Sequence, residues 1–172
     1  MLKKKKMNVL KESLLDFFSV EDNFNTLYNL ICIKPIQPRL IDFFITQRCK
    51  CKIHFFYSTD KGIPYGLTDI YSDYKLNLKG YHKKYFNMFD KKSKKIDITY
   101  KDKYLQLSIA KLNIFRWLIK NKILDVVQEN VEMYMEEYHE YRKKIQSSQR
   151  KNNNKSTQSK SLLLKLKTGT LK

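Results

Sequence analysis

The sequence contains few cysteines and glycines. Its three cysteines in 172 residues are too few for a disulfide framework, and their odd number favours a reducing compartment. Its four glycines match neither the Rossmann nor the Walker pattern, so no phosphate-binding loop is expected. No apolar run reaches the length of a signal peptide or of a membrane-spanning helix. These absences indicate an intracellular protein without a transmembrane segment.

Acidic residues are also scarce. The chain has 35 Lys+Arg against 17 Asp+Glu, which gives a formal net charge of +18. A charge of that size favours a polyanionic partner, above all nucleic acid, although solubility alone is the plainer alternative. Only five of the basic residues are arginines. We therefore expect lysine–phosphate contacts of low sequence specificity rather than bidentate reading of bases.

Hydrophobic residues make up 42% of the chain and aromatic residues 13%, which supports a globular core. Hydrophobic periodicity predicts an α+β fold, mostly helical, with one small antiparallel sheet. That sheet is expected to combine a strand near residues 53–57 with a hairpin at 96–107. The predicted organisation is a basic leader (1–7), a single domain (8–146) and a disordered basic tail (147–172).

Several local signals position the predicted elements. Pro38 is expected to open a helix, and Thr68 is expected to cap a later one. Gly62, Pro64 and Gly66 predict a loop between the strand and that later helix. Ser108 is a suitable cap for a helix that is apolar almost all round, which predicts the centre of the core.

The segment between residues 75 and 103 holds ten lysines and only three acidic residues. On the helix predicted after Thr68, apolar residues form one stripe, and lysines form an opposite ridge at i, i+4 and i+8. A run of lysines follows that helix. The predicted phosphate-binding residues are the lysines of the ridge and the run: Lys75, Lys79, Lys83, Lys84, Lys91, Lys92, Lys94 and Lys95. An ordinary solvated helix face is the alternative.

One cluster has the composition of a metal site. Cys49, Cys51 and His54 form a C-x-C-x-x-H pattern, and a structural zinc ion would need a fourth ligand. The remaining ligand-type residues are Cys32, His82 and His139. Because the spacing is not that of a zinc knuckle, we favour cysteines at a helix end and a histidine in a strand. No cofactor is predicted.

A magnesium-dependent nuclease is the third functional alternative. It would need converging carboxylates, for which the candidates are Asp69, Asp73, Asp90 and Asp97. Asp90 also precedes two lysines in a loose acidic-x-Lys pattern. That pattern has little specificity in so lysine-rich a chain, so we predict a non-enzymatic protein and assign no catalytic residue.

Three segments resemble a known family. They are Arg39–Thr46 (RLIDFFIT), Tyr74–Lys92 and Leu107–Ile119 (LSIAKLNIFRWLI), of which the last is the most specific. They resemble an uncharacterised family of nucleocytoplasmic large DNA viruses, the mimivirus, phycodnavirus and iridovirus group. The resemblance covers about residues 38–130. Where the family has Pro-Phe-Cys-Arg-Arg, this chain has Met88–Lys92 (MFDKK), so that cysteine is absent.

The resemblance implies a viral origin and supplies no mechanism. It implies a location in the host cytoplasm or viral factory, the virion or the host nucleus. Together with the charge, it favours a factor in viral gene expression or genome handling that associates with nucleic acid through the phosphate backbone. The alternative is a structural or adaptor protein of the virion or viral factory, which would bind viral proteins.

Overall fold

A computed structural model describes the backbone of residues 2–51, 55–60 and 63–168 and the side chains of residues 7–51 and 69–149. Short π-helical turns extend the second and third helices. The helices and strands are α1 (Leu2–Ser19), α2 (Glu21–Tyr28), α3 (Pro38–Phe43), α4 (Cys49–Cys51), β1 (Phe55–Asp60), β2 (Ile63–Asp69), α5 (Ile70–Tyr85), β3 (Lys95–Tyr100), β4 (Lys103–Ser108), α6 (Ile109–Lys120), α7 (Ile123–Glu129) and α8 (Val131–Thr168). The predicted class, a mostly helical α+β fold, is confirmed.

The strands form two separate antiparallel hairpins, β1–β2 and β3–β4, rather than the single sheet predicted. The hairpin predicted at 96–107 is confirmed by β3 and β4. β1 begins at Phe55, and residues 53 and 54 lie outside the described part of the chain. The loop predicted around Pro64 is wrong, because β2 pairs with β1 there. A two-stranded hairpin has only edge strands, and an edge strand tolerates a proline.

The chain divides into two compact units, Met1–Val131 and Glu132–Lys172. In the second unit, the backbone of α8 is helical to Thr168. The predicted tail, 147–172, is rich in Ser, Asn and Gln, and a helix of that composition is only marginally stable in water. The predicted disorder of the tail and the predicted domain limits, 8–146 and 147–172, remain predictions. In the chain as described, no helix is both long and apolar enough to cross a membrane.

Helix α6 lies in the core of the first unit, as predicted. The Ser108 hydroxyl caps it by accepting the backbone N–H of Lys111 at 3.4 Å. Seven of its twelve residues are buried, and Leu112 and Leu118 are 0% exposed. Other large side chains that are fully buried come from α1, α2 and the segment around α3. The core of this unit therefore forms around an almost wholly apolar helix.

The loop of the β3–β4 hairpin is held against α2. The Tyr100 hydroxyl and the Lys101 ammonium each donate to the Glu21 carboxylate at 2.9 Å, and Lys103 donates to Asn25 at 3.0 Å. The hydrogen bonds from Lys101 and Tyr100 lower the pKa of Glu21. These two lysines therefore already have partners within the protein.

Helix α5 differs from the prediction at both ends. Its cap is Asp69 rather than Thr68, since the Asp69 carboxylate accepts the Tyr71 N–H at 3.0 Å. Near its end, His82 has φ 59° and ψ 158°, which breaks the helical geometry. The predicted lysine ridge therefore stops before Lys83, because the kink turns the following residues away from the helical repeat.

Candidate functional site

The first part of the site is a groove along α5. It has a volume of about 550 Å3 and is lined by Tyr71, Ser72, Lys75, Leu76, Leu78 and Lys79. Lys75 and Lys79 are one helical turn apart and both exposed, as the predicted ridge requires. Between them Leu76 is 66% exposed. The α5 groove thus presents two ammonium groups beside exposed apolar surface.

The second part is the loop from α5 to β3, residues 86–94. Two side chains fold it by accepting backbone N–H groups: Asn87 Oδ1 from Phe89 at 3.0 Å, and Asp90 Oδ1 from Lys92 and Ser93 at 3.2 and 3.3 Å. Within the loop Met88 is buried, whereas Phe89 is 44% exposed and the loop lysines are exposed as well.

Asp90 stays ionised in this loop. Burial raises its pKa, but the nearby hydroxyls of Ser108 and Ser93 and the N–H groups that Oδ1 accepts outweigh that effect and leave the pKa below its ordinary value. Oδ2 is buried and has no hydrogen-bond partner among the described residues. The carboxylate is therefore committed to shaping the loop. Its role is to hold the turn that carries the lysines rather than to neutralise one of them.

The eight predicted lysines are all exposed. In the described part of the chain, none of them forms an ion pair. Lys84 lies over the Tyr85 ring, 5.4 Å from its centroid. The α5 groove, which holds Lys75 and Lys79, adjoins a cavity lined by Lys83, because Leu78 lines both. The remaining four lysines follow in the loop and at the start of β3.

That cavity lies where α3, α5, the loop and α6 meet. It has a volume of about 250 Å3 and is lined by Asp42, Tyr74, Leu78, Lys83, Phe86, Asn87, Met88, Phe89 and Ile114. We call it the Asp42 cavity. Burial raises the pKa of Asp42, and the nearby Lys83 charge only partly offsets this effect. No described residue donates a hydrogen bond to the Asp42 carboxylate.

An aromatic cluster forms one wall of the Asp42 cavity. The Phe86 ring lies 5.9 Å from Tyr74, 6.0 Å from Tyr81 and 5.8 Å from Trp117, measured between centroids. Aromatic pairs at such distances are mutually stabilising. Tyr74 and Phe86 of this cluster line the cavity, and Trp117 joins the cluster to α6.

Polar residues of α6 hold the loop and α5 in place. The buried Asn113 donates to the Tyr85 carbonyl at 2.9 Å and accepts from Arg116 at 2.7 Å. Arg116 also donates to Ser13 of α1 at 2.9 Å, and the Trp117 indole N–H donates to Asp73 of α5. The family-like segment LNIFRW therefore has a structural role, which is to join α1, α5 and α6.

The four aspartates proposed for a nuclease do not form a metal-binding group. Asp69 caps α5, and Asp73 accepts from Trp117 and Asn77. Asp97 accepts from Tyr104 at 2.7 Å and from Gln106 at 3.0 Å, and these bonds lower its pKa. No group of three or more His, Cys, Asp or Glu suited to a metal ion occurs among the described residues.

The cysteines of the proposed zinc site differ in environment. Cys49 is 2% exposed, and burial raises the pKa of its thiol to about 12. Cys32 and Cys51 are exposed. His54 lies outside the described residues, so the full set is not placed.

Sequence reasoning missed the residues of the Asp42 cavity. One signal was present: Asp42 interrupts the apolar run Leu40–Ile45, where a charged residue is unexpected. Asn87 and Phe89 gave no such signal, because their roles depend on how the loop folds back on α6. Asn87 N–H donates to the Ala110 carbonyl at 3.2 Å there.

Comparison with known proteins gives a family but no activity. The model of a family of unknown function, DUF7197, matches residues 1–165. The chain is also 32% identical, over 127 residues, to an uncharacterized protein of Acanthamoeba polyphaga mimivirus. That match covers 70% of this chain and 48% of the mimivirus protein, so the chain spans about half the length of this relative. No solved structure matches. The resemblance to a giant-virus family is thereby confirmed, and the chain belongs to the family of unknown function DUF7197.

Proposed function

We propose that this protein is a non-enzymatic, nucleic-acid-associated factor in viral gene expression or genome handling. The observation that carries the proposal is the set of eight exposed lysines without ion pairs on α5, the α5–β3 loop and the start of β3. Phosphate groups would supply the ion-pair partners that these lysines do not have among the described residues.

The contrast with Lys101 and Lys103 supports this proposal. Those two lysines, on the neighbouring hairpin, are bonded to Glu21 and Asn25. A lysine that mainly holds the fold together is expected to have such a partner, whereas a lysine that meets a ligand is expected to be exposed and free. The eight lysines are exposed and form no ion pair among the described residues, although Lys84 also lies over the Tyr85 ring; what sets them apart is that they fall within residues 75–95.

Binding of this kind has a clear physical signature. Lysines on phosphate release condensed counterions, so the affinity falls steeply as salt concentration rises. Because lysine is a point charge without the planar fork of arginine, base sequence should matter little to the phosphate contacts. The phosphate contacts would thus give general affinity and little specificity.

Fluorescence anisotropy across salt tests the proposal. The full chain is titrated onto a short labelled duplex and a short labelled single strand, at salt concentrations from about 50 to 200 mM. We expect log affinity to fall linearly with log salt, with a slope of roughly 0.9 per phosphate contact on duplex. Weak binding that does not change with salt would refute the proposal and favour the structural or adaptor alternative.

A further inference from the structure

The Asp42 cavity has the size of a site for one planar group. Its volume of about 250 Å3 is below the range of roughly 300–1,000 Å3 typical of pockets for drug-sized ligands. Its aromatic lining residues are Tyr74, Phe86 and Phe89; because Phe86 is 1% exposed and Phe89 is 44% exposed, Phe89 is the wall that can meet a ligand ring. Flat aromatic ligands stack on such walls, and proteins that bind unpaired nucleic-acid strands use aromatic side chains in this way.

Two polar groups in the cavity are available to a ligand. The Asp42 carboxylate offers two acceptor oxygens, and no described residue donates to them. Asn87 uses its Oδ1 to accept the Phe89 N–H, which leaves its Nδ2 group as a donor without a described partner. These two side chains therefore offer a pair of acceptor oxygens and one donating NH2 group, beside the ammonium of Lys83.

Guanine has the complementary pattern. Its Watson–Crick edge presents the O6 acceptor next to two donors, N1–H and N2–H, whereas each of the other bases presents fewer adjacent donors. A carboxylate can accept both donors at once, and such charge-assisted bidentate pairs are strong. Asn87 Nδ2 can donate to O6.

The surroundings select a guanine that carries phosphate. A guanidinium group would also satisfy Asp42, but Lys83, which lines the cavity, repels a cationic ligand. A guanine base is itself neutral and is attached to a polyanionic strand, so it can satisfy Asp42 without being repelled by the lysines. Lys83 lines the cavity, and Lys91 and Lys92 come two and three residues after Phe89, so the strand's phosphates have partners beside the base.

We propose that the Asp42 cavity binds an unpaired guanine of a nucleic-acid strand, with Asp42 and Asn87 on its Watson–Crick edge and Phe89 against its ring. This inference rests on the proposed nucleic-acid binding and adds a base preference to it. The lysines supply general affinity for the strand, and the cavity supplies a preference for guanine. In a duplex the Watson–Crick edge of guanine is already paired, so this preference would not be seen.

Three labelled oligothymidines test the inference: one with a single central guanine, one with inosine at that place, and one with thymine only. Inosine lacks the N2 amino group but keeps N1–H and O6. We expect the full chain to bind the guanine probe about tenfold more tightly than the all-thymine probe, with the inosine probe between them.

Asp42→Asn should abolish the preference for the guanine probe. Its affinity for the all-thymine probe should equal that of the control variant. The matched control is Asp125→Asn, which makes the same charge change at an exposed position of α7. Asn87→Ala is the second variant, used if Asp42→Asn fails to fold, and it should reduce the preference as well. Retention of the full preference in both cavity variants would overturn the inference.

The outcomes separate the two proposals. Equal binding of all three probes by the wild-type chain overturns the guanine site and leaves the lysine-based proposal standing. Absence of salt-dependent binding to any probe overturns both. GMP distinguishes a free nucleotide from a strand: we expect it to compete poorly, because it lacks the neighbouring phosphates. If GMP displaced the labelled probe as effectively as an unlabelled guanine-containing oligonucleotide does, the cavity would be assigned to a mononucleotide. That result would overturn the proposed binding of a strand.

Discussion

Two neighbouring regions of the first unit use their polar side chains in opposite ways. Helix α6 turns Asn113, Arg116 and Trp117 inward, and each bonds to another element or to its neighbour. The loop after α5 instead presents its lysines to solvent without ion pairs among the described residues. The first region carries the most family-like sequence, and the second carries the exposed charge.

The difference shows that the most recognisable segment has a structural role. Asn113, Arg116 and Trp117 are distinctive because three elements depend on them for position, and substitution would leave buried polar groups without partners. The lysines are interchangeable point charges, so their sequence is less distinctive. Changes in α6 should therefore affect stability first, and changes in the lysines should affect binding first.

The largest expected effect is in the core of α6. Leu112→Ala removes a side chain that is 0% exposed, and we expect it to lower the free energy of unfolding by about 2–5 kcal/mol. Urea denaturation measures this loss, and an exposed control, Gln128→Ala, should cost about 0.5 kcal/mol or less. If the Leu112→Ala variant were still folded but bound nucleic acid more weakly, the separation between a structural α6 and a binding loop would be contradicted.

The next effect lies where the two regions meet. Asn113→Ala leaves the Tyr85 carbonyl without its donor and Arg116 without its acceptor, which should cost about 1–3 kcal/mol. Asn121→Ala is the control, because Asn121 also donates to a backbone carbonyl, but within its own helix end. Denaturation midpoints should show the larger loss for Asn113→Ala. An equal loss in both variants would mean that Asn113 does not hold the loop.

A glycine at position 82, in the kink of α5, should stabilise the protein. His82 has φ 59°, a conformation that glycine adopts without strain and other residues adopt at a cost of about 1–3 kcal/mol. His82→Gly should therefore raise the free energy of unfolding by roughly 1 kcal/mol. His82→Ala, which removes the side chain but keeps the strain, should bring no such gain. A loss of stability in His82→Gly would place the end of α5 in ordinary helical geometry.

The smallest effect concerns Asp42. Because burial raises its pKa in the folded state, the folded protein keeps this proton to a higher pH than the unfolded chain does. Stability should then fall as the pH rises from the unfolded pKa through the raised folded one. Asp42→Asn should remove this fall with pH and be more stable than wild type at neutral pH.

The pH profile of Asp42→Asn minus wild type isolates this effect. Asp90 and Asp97 have lowered pKa values, so they contribute in the opposite direction: their stabilisation is present above the unfolded pKa and lost as the pH falls. They are common to both proteins and cancel in the difference. A difference curve that stays flat through the acid range would show that Asp42 is not buried enough to act as described.

Local signals in the sequence predicted much of the fold. Ser108 as a cap, the apolar helix that follows it, and the hairpin at 96–107 all depend on contacts between residues close in the chain. β2 was missed because its pairing with β1 outweighs the turn signals of Pro64. The kink at His82 was missed because nothing in the local sequence demands a positive φ at a histidine.

The candidate site was predictable only in part. The lysines could be chosen from charge and helical spacing, and their exposure agrees with that choice, although their binding stays a prediction. The Asp42 cavity could not be predicted, because Asp42, Lys83 and Ile114 come together only when α3, α5 and α6 pack. A cavity of this kind depends on tertiary contacts, which a single sequence does not show.

The central claim is that the loop lysines bind phosphate without stabilising the fold. One quadruple variant changes four lysines to Gln: Lys91, Lys92, Lys94 and Lys95. Its matched control changes four exposed lysines elsewhere: Lys11, Lys34, Lys50 and Lys122. The decisive measurement is the slope of log affinity for duplex against log salt. We expect the loop variant to lose roughly 0.9 of slope for each phosphate contact removed, at unchanged stability, and the control to keep the wild-type slope. Equal slopes in both variants would contradict the claim.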